Sequence, residues 1–391
     1  MMHREKNSDT ESSFWLEMCP ATNFPSLKEG LKVDVVILGG GIAGITTATL
    51  LKKAGYTVAV IEAGRVVKDV TVGTTAKISV SPSKIYNNLI NTLGIVKAQV
   101  YANANSKALE KISEIVEEHA IDCDFHRLPL YIFNESLEKV DELKQEAEAA
   151  EKLGLPVLWV ENVHLPFETG PGIKYDNQAQ FHPRKYLLAL SNDLDGEGSY
   201  VFEKTLAITV KEGELKEVVT DKGSIMADNV VIATHSPVYD PDELQAHLHS
   251  ERSYVIGVYV KGEFPDGMFI DSYPVHTYRA TPTDKGKMIL VAGEHSPVDV
   301  EDRSLYYHRL EKYAREHLDV ESVEYLWSSK DSVTDDGLPM IGMTSQKGIY
   351  VAAGFGFWGM TNGTTAAMVI TDLITGKQTN STNIFNPLRF K

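Results

Sequence analysis

Cysteine is scarce: Cys19 and Cys123 are the only two in 391 residues, and they form no CxxC pair. That scarcity excludes a disulfide scaffold, a cysteine zinc site and an iron–sulfur cluster held by the chain's own thiolates, so no metal site is expected. Basic charge is short as well, with 38 Lys and Arg against 54 Asp and Glu and a formal net charge of -16. Nucleic-acid binding needs basic patches for phosphates, so this balance argues against such a partner. No apolar run reaches the length of a membrane helix, and no integral membrane segment is expected. The start, MMHREKNSDTESS, lacks the apolar core of a secretory signal, which makes the cytoplasm the expected location. The remainder is ordinary for a globular protein, 43% hydrophobic and 24% charged. At this length two domains are expected rather than one simple core.

One stretch organises the rest. Val33 to Glu62 reads as strand, glycine turn, helix and second strand. Val35 to Leu38 is a continuous apolar run, as a parallel strand covered on both faces requires. Gly39, Gly41 and Gly44 supply GxGxxG at the strand-to-helix turn. The first permits the turn, the second lets a pyrophosphate approach the backbone, and the third lets helix and strand pack closely. Amides of the first helical turn, with roughly +0.5 charge of helix dipole, face the phosphates. Glu62 ends the second strand 18 residues after Gly44, close to where a ribose-binding carboxylate belongs. A lone GxGxxG is weak evidence, but strand, helix and terminal acid in register identify a dinucleotide site.

Elsewhere the pattern is mixed. Residues 1 to 30 read as irregular, with Trp15 and Leu16 as the anchor of a strand or hook. Gly73, Thr74, Thr75 and Ala76, then Lys77, form a small polar stretch that suits either a surface loop or a loop along a flat ring. A long helix is expected from Ile95 to His119, with Val96, Val100, Ala104, Ala108, Ile112 and Val116 as its apolar stripe. Pro129 to Phe133 reads as a strand, and Ser136 to Leu153 as a charged helix with a solvated carboxylate face. Pro183 starts a short helix, beside which His182 reads as structural. Leu206 to Val210, Lys216 to Thr220 and Asn229 to Ala233 read as a small antiparallel unit, whose end at Ala233 and Thr234 admits a ligand. RSYVIGVYV, GMFIDSY, VHTYRAT and KMILVAG, between Arg252 and Gly293, predict an antiparallel sheet, followed by a helix over Glu301 to His317. Alternation puts His276 and Tyr278 on one face of VHTYRAT and Val275, Thr277 and Arg279 on the other. Either polar set could line a substrate cavity, or the sheet could have one wet face.

Gly354, Gly356 and Gly359 repeat GxGxxG after a strand at Ile349 to Ala353. No further strand with a terminal acid follows, so a second nucleotide domain is rejected. A helix N-terminus around Met360 to Thr365, aimed at the same cofactor, is the better reading, and its positive end suits a charge developing on a reduced ring.

VVILGGGIAGITTATLLKKAGYTVAVIE, NVVIATH, TDDGLPMIG and VAAGFGFWGMTNGTTAA together resemble the glycine oxidase and D-amino-acid oxidase superfamily of FAD-dependent oxidoreductases. GTTAKIS, NQAQFHPRKYL and WSSKDSVTDDGLPMIG resemble the branch that often carries a C-terminal Rieske domain. The resemblance covers nearly the whole chain. It implies an α/β (α+β) fold, with a Rossmann-like FAD-binding domain and a mainly antiparallel substrate domain, both discontinuous. The expected division is 1–110, 170–250 and 325–391 for FAD, and 111–169 with 251–324 for substrate. It places Gly39, Gly41, Ile42, Ala43 and Gly44 on the pyrophosphate and Glu62, with Ala63, on the adenosine ribose. Thr74, Thr75, Ala76 and Lys77 would flank the isoalloxazine, as would Gly354, Phe355, Gly356, Gly359, Met360 and Thr361. Leu206, Ala233 and Thr234 complete the cofactor set.

The implied reaction is hydride transfer from a small, amine-bearing substrate to flavin. The alternative is an electron-transfer flavoprotein subunit working with a separate Rieske or other redox protein, since no Rieske domain follows Pro387. Lys77, His276, Tyr278, Arg279 and Asp331 are the catalytic candidates. Amino-acid oxidases of the superfamily place a carboxylate-binding arginine five residues before the DG aspartate; counting back from Asp336 gives Asp331, an acid. Relatives that bind flavin covalently use a cysteine near the segment matching Ser328 to Asp331. None occurs there, so FAD is expected to be non-covalent.

Overall fold

The computed structural model describes residues 11–377 and 381–391; residues 1–10, part of the stretch read as irregular, lie outside that set. Two sheets carry the architecture. Six strands of the eight-stranded sheet lie in the order Met340–Met343, Ile349–Ala353, Gly223–Ile232, Leu31–Leu38, Val58–Ile61, Tyr200–Phe202. All run parallel except Met340–Met343, which pairs antiparallel with Ile349–Ala353. Val35 and Ile37 enter the core under the helices Ile42–Lys53, Pro183–Leu194 and Gly359–Ile374, whereas Val36 and Leu38 enter a second core closed by Val210 and Val218. This two-sided cover is why the strand is apolar without alternation.

The antiparallel unit expected around NVVIATH exists only in part. Ala207–Lys211 and Lys216–Thr220 form its hairpin, but Gly223–Ile232 also lies parallel to Leu31–Leu38 and, from Val230, to Ile349–Ala353. The unbroken Val230, Val231, Ile232 run is the mark of a doubly covered strand, and it outweighs proximity to the hairpin.

The nine-stranded sheet runs Val320–Thr334, Leu248–Val260, Gly286–Pro297, Val275–Thr283, Met268–Ser272, His126–Phe133, Gly172–Gln180, Lys77–Ile78, with Val157–Val160 added beside Gly172–Gln180. It is antiparallel apart from the pairing of Met268–Ser272 with His126–Phe133. The four runs between Arg252 and Gly293 all belong to it. So do Gly172–Gln180 and Val320–Thr334, which fall wholly or partly in stretches assigned above to the FAD domain. Helix Ser304–His317 covers one face, burying Tyr307, Leu310 and Ala314 against Tyr254, Ile256, Tyr278 and Val291.

Two helices differ from expectation. Helix Ile95–Glu118 buries Ala104, Ala108 and Ile112 of the expected stripe, with Val100 and Val116 packed partly buried against the core; it also buries Ala98, Tyr101, Ala102, Asn105, Leu109 and Ile115, while Val96 is 75% exposed. A strict four-residue repeat drifts about 40° per step on a helix of 3.6 residues per turn, so its first member, Val96, falls off the face that the middle of the stripe buries. The charged segment is a helix over Val140–Lys152, and one of its carboxylates is not solvated. Glu146 is buried and accepts the amides of Ile85, Tyr86 and Asn87, capping the helix Tyr86–Leu93. His182 caps its own helix, its Nδ1 accepting from the Lys185 amide.

Candidate functional site

A cavity of about 660 Å³ opens where the carboxyl ends of the parallel strands meet the inner face of the nine-stranded sheet. Ile61, Leu38, Ala233 and Ala353 form its floor, one from each of four neighbouring strands or the residue just beyond. With strands about 4.8 Å apart, that row is about 14 Å long, which suits an extended ligand. Ligand sites at the carboxyl ends of open parallel sheets have this geometry.

The glycine turn is built by close approach. Gly39 adopts φ +109°, and a Cβ there would lie 2.5 Å from the Ala233 carbonyl oxygen. Gly44 packs against Gly39 itself and does not line the cavity; Gly39, Gly41, Ile42 and Ala43 do. Gly41 precedes the helix and has no side chain to cap it. The Ile42 amide donates to Thr71 Oγ1, and those of Ala43 and Gly44 have no acceptor within the helix. The helix Gly359–Ile374 begins beside it, with Gly359 and Met360 on the cavity and Gly363 packed near Ile42. Two helix N-termini therefore converge on one space in a protein whose net charge is -16. The residues present fit a pyrophosphate-bearing cofactor.

Glu62 and Ala63 line the cavity too. The Glu62 carboxylate accepts from the amides of Gly40 at 2.9 Å and Gly64 at 2.7 Å, leaving lone pairs for a diol. Burial holds its pKa above the usual carboxylate value, against the pull of those two amides. Glu62→Ala is expected to weaken FAD binding about tenfold to a hundredfold while the apoprotein stays folded, since a charge-assisted hydrogen bond contributes roughly 1.5–3 kcal/mol. Titration of apoprotein with FAD measures this, and unchanged affinity would remove the ribose from this position.

Thr74, Thr75, Lys77, Leu206, Thr234, Gly354, Phe355 and Gly356 also line the cavity. Ala76 and Thr361 do not: Ala76 is buried at φ +57°, and Thr361 donates to the Ser79 carbonyl. Lys77 is buried, with Nζ 2.8 Å from Thr277 Oγ1 and 3.0 Å from Thr75 Oγ1. Burial, reinforced by the Arg279 guanidinium, holds it well below the usual lysine range.

The roof sheet separates the remaining candidates. Val275 and Thr277 face the cavity; His276 and Tyr278 do not. His276 stacks on Tyr313 at 3.6 Å, and Tyr278 OH donates to Tyr313 OH, both under the helix Ser304–His317. The cavity therefore does not bring these two catalytic candidates to its wall: alternation divides the strand into two faces, but the covering helix decides which is inside. Arg279 lies on the inner side yet does not line the cavity; it is 1% exposed and donates to backbone carbonyls.

Asp331 does face the cavity. Burial raises its carboxyl to about 6, opposed by hydrogen bonds from the Ser332 and Phe357 amides. Arg279 does not pair with it, its donors being spent elsewhere. A carboxyl whose folded value exceeds its unfolded one binds more protons when folded, so its ionisation costs stability above about pH 6. Asp331→Asn is expected to raise the apoprotein's thermal midpoint at pH 8, with the gain shrinking toward pH 4. A gain independent of pH would contradict the burial of this charge.

Sequence reasoning missed His235 and Phe357, which line the cavity with φ +64° and +62°. It also missed His295, Ser253 and Ser329 on the roof. A left-handed backbone at a non-glycine residue leaves no mark in residue type. Burial and then Lys330 lower the His235 pKa, and its Nε2 lies 3.0 Å from Ser332 Oγ. Among the described residues no group of three or more His, Cys, Asp or Glu converges to hold a metal.

Comparison with known proteins gives a consistent answer. The family profile DAO, FAD dependent oxidoreductase, matches residues 34–373. YhfW of Bacillus subtilis, named for a Rieske 2Fe-2S iron–sulfur centre, is 35% identical over 396 aligned residues, covering 100% of this chain and 78% of YhfW. Gamma-glutamylputrescine oxidoreductase of Escherichia coli is 23% identical, over 90% of this chain and 86% of that protein. Among solved structures, glycine oxidase from Geobacillus kaustophilus superposes with a TM-score of 0.76 at 20% identity, covering 92% of this chain and 99% of the oxidase. L-proline dehydrogenase from P. horikoshii gives 0.73 at 20% identity, over 93% and 98%. The structural likenesses establish the fold; the family match, spanning both sheets and every strand end that meets the cavity, establishes more. The chain belongs to the DAO family of FAD-dependent oxidoreductases.

Proposed function

We propose that the protein oxidises a small cationic amine, with FAD held non-covalently in the cavity. Bound there, FAD would accept a hydride from the carbon that bears the amine. The observation that carries the substrate class is Asp331, a carboxylate in the cavity where related oxidases are expected to have an arginine. Of the described arginines only Arg65 lines the cavity, three residues past Glu62 on the opposite side from the roof. Lys77, kept toward its neutral form, is a weak anchor for an anionic group. A substrate carboxylate therefore meets an acid and no fixed roof cation, whereas an ammonium group meets a partner. The eight-stranded sheet with its helices serves as the cofactor unit and the nine-stranded sheet as the substrate-facing unit, both discontinuous in sequence. Anaerobic mixing of the yellow protein with primary amines and with glycine or D-alanine tests the reading: amines should bleach the flavin faster. Preferential bleaching by the amino acids would defeat it.

Neither Cys19 nor Cys123 lines the cavity. Acid precipitation is expected to leave a white pellet and release all the yellow colour, and a coloured pellet would show a covalent link. For the electron acceptor we favour a separate iron–sulfur protein, because the 35%-identical relative is named for one. Fast reoxidation by air with matching peroxide would favour oxygen instead. Among the described residues no helix is long and apolar enough to cross a membrane. Residence in the cytoplasm is part of the same proposal, and cell fractionation checks it.

A further inference from the structure

Gly73, Thr74, Thr75 and Lys77 line the cavity, yet the backbone of this stretch is held from behind. Trp327 Nε1 donates to the Gly73 carbonyl at 3.0 Å and Trp15 Nε1 to the Thr74 carbonyl at 2.8 Å. Arg279 donates to the carbonyls of Thr75 at 2.9 Å and Ala76 at 3.0 Å. Four successive carbonyls are thus taken by three buried side chains, none of which lines the cavity. Arg279 forms no ion pair among the described residues, and burial lowers its pKa to about 9. Its guanidinium carbon lies 5.3 Å from the centre of the Trp15 ring. A guanidinium buried without a counterion needs its donors filled, so the loop carbonyls and this cation hold each other in place.

Trp15 comes from the arm that precedes the first parallel strand. The arm is tied down at both ends: the Ser12 amide donates to the Leu326 carbonyl at 2.9 Å, and Arg184 donates to the Pro20 carbonyl at 3.0 Å. Ser13 Oγ donates to the Val72 carbonyl at 2.6 Å. Arg65, itself on the cavity, donates to the Thr22 carbonyl. No residue of the arm lines the cavity, but the arm grips two segments that do.

We infer that the N-terminal arm from Ser12 to Thr22 is a strap for the cofactor site, with Trp15 as its positioning residue. By holding the Thr74 carbonyl outward, Trp15 leaves the threonine hydroxyls and the Lys77 amine turned toward the cofactor. Carbonyls facing inward would instead place negative dipole ends against an electron-accepting ring. The inference rests on FAD occupying this cavity, which Glu62→Ala tests separately: loss of the cavity reading would show there, and loss of the strap would not.

Hydrogen exchange on the unaltered protein, with and without FAD, gives the first readout. Amides from Ser12 to Met18 are expected to exchange more slowly in the FAD-bound protein although they do not reach the cavity. Equal exchange in both states overturns the strap. Trp15→Phe gives the second, since it keeps the ring and deletes the donor to Thr74. Expected are a FAD affinity about threefold to thirtyfold weaker and a displaced visible band of the bound flavin. Ile112→Val, a mild core change in the helix Ile95–Glu118, is the control and should leave both unaltered. If Trp15→Phe lowers the thermal midpoint while affinity and spectrum stay at wild-type values, Trp15 is merely structural and the proposal fails.

Discussion

Gly44→Ala protein is expected to leave purification colourless, with FAD affinity reduced by a hundredfold or more. A Cβ at this position would lie 1.9 Å from the Gly39 carbonyl oxygen and 3.2 Å from Ile37 Cγ2. The first of these is backbone, fixed between Ala233 and Ile61 by the packing of the glycine turn. The helix Ile42–Lys53 must then lift from the strand Leu31–Leu38, carrying its first-turn amides away from the phosphates. Overpacking typically costs about 1–3 kcal/mol in stability. Loss of the aligned amides adds to the binding deficit, and a hundredfold corresponds to about 2.7 kcal/mol. The flavin-to-protein absorbance ratio measures retention, and the apoprotein's thermal midpoint reports the packing term. Stoichiometric colour in the variant would mean that the turn does not hold the cofactor.

That prediction draws on a motif legible from residue types alone, because each requirement in Val33–Glu62 is local. A glycine is needed where backbone meets backbone, and an acid where the strand ends. The roof strands were legible for the same reason, their alternation and turns being short-range. Contacts between distant segments were not. Trp15 and Thr74 are 59 residues apart and Trp327 and Gly73 are 254 apart, and nothing in either neighbourhood marks a carbonyl clamp. His276 and Tyr278 show a subtler limit. Period-two alternation correctly opposed them to Val275 and Thr277, but the inward face is set by where the helix Ser304–His317 packs. The helix Ile95–Glu118 was legible apart from the first position of its stripe: Ala104, Ala108 and Ile112 are buried, whereas Val96, displaced by the drift of a repeat of four, is exposed. Asp331 was reached by counting within a motif supplied by resemblance, and its place in the cavity depends on the long strand Val320–Thr334.

Asp331→Arg is expected to reverse the substrate preference of the flavin. On the proposed function an ammonium group would approach the Asp331 carboxylate in a buried setting, where two unit charges about 4 Å apart interact by about 4 kcal/mol at an effective dielectric of 20. Desolvation and screening take back much of that, so a preference of on the order of a hundredfold is the realistic expectation for an amine over its carboxylate-bearing counterpart. Arginine at this position repels the ammonium and offers a two-pronged grip on a carboxylate. The ratio of reduction rates, amine against glycine or D-alanine, should then fall by about the same factor or more. The wild-type preference also carries a pH signature. With its carboxyl near 6 in the free protein, Asp331 loses its charge as pH falls through that value, and reduction by amines should weaken there. The Arg variant has no group titrating at this position and should lack that acid limb. Stopped-flow reduction under nitrogen from pH 5 to pH 8 gives both readouts from the same samples. An unaltered preference ratio in Asp331→Arg would sink the assignment, and an acid limb that survives the substitution would place the titrating group elsewhere.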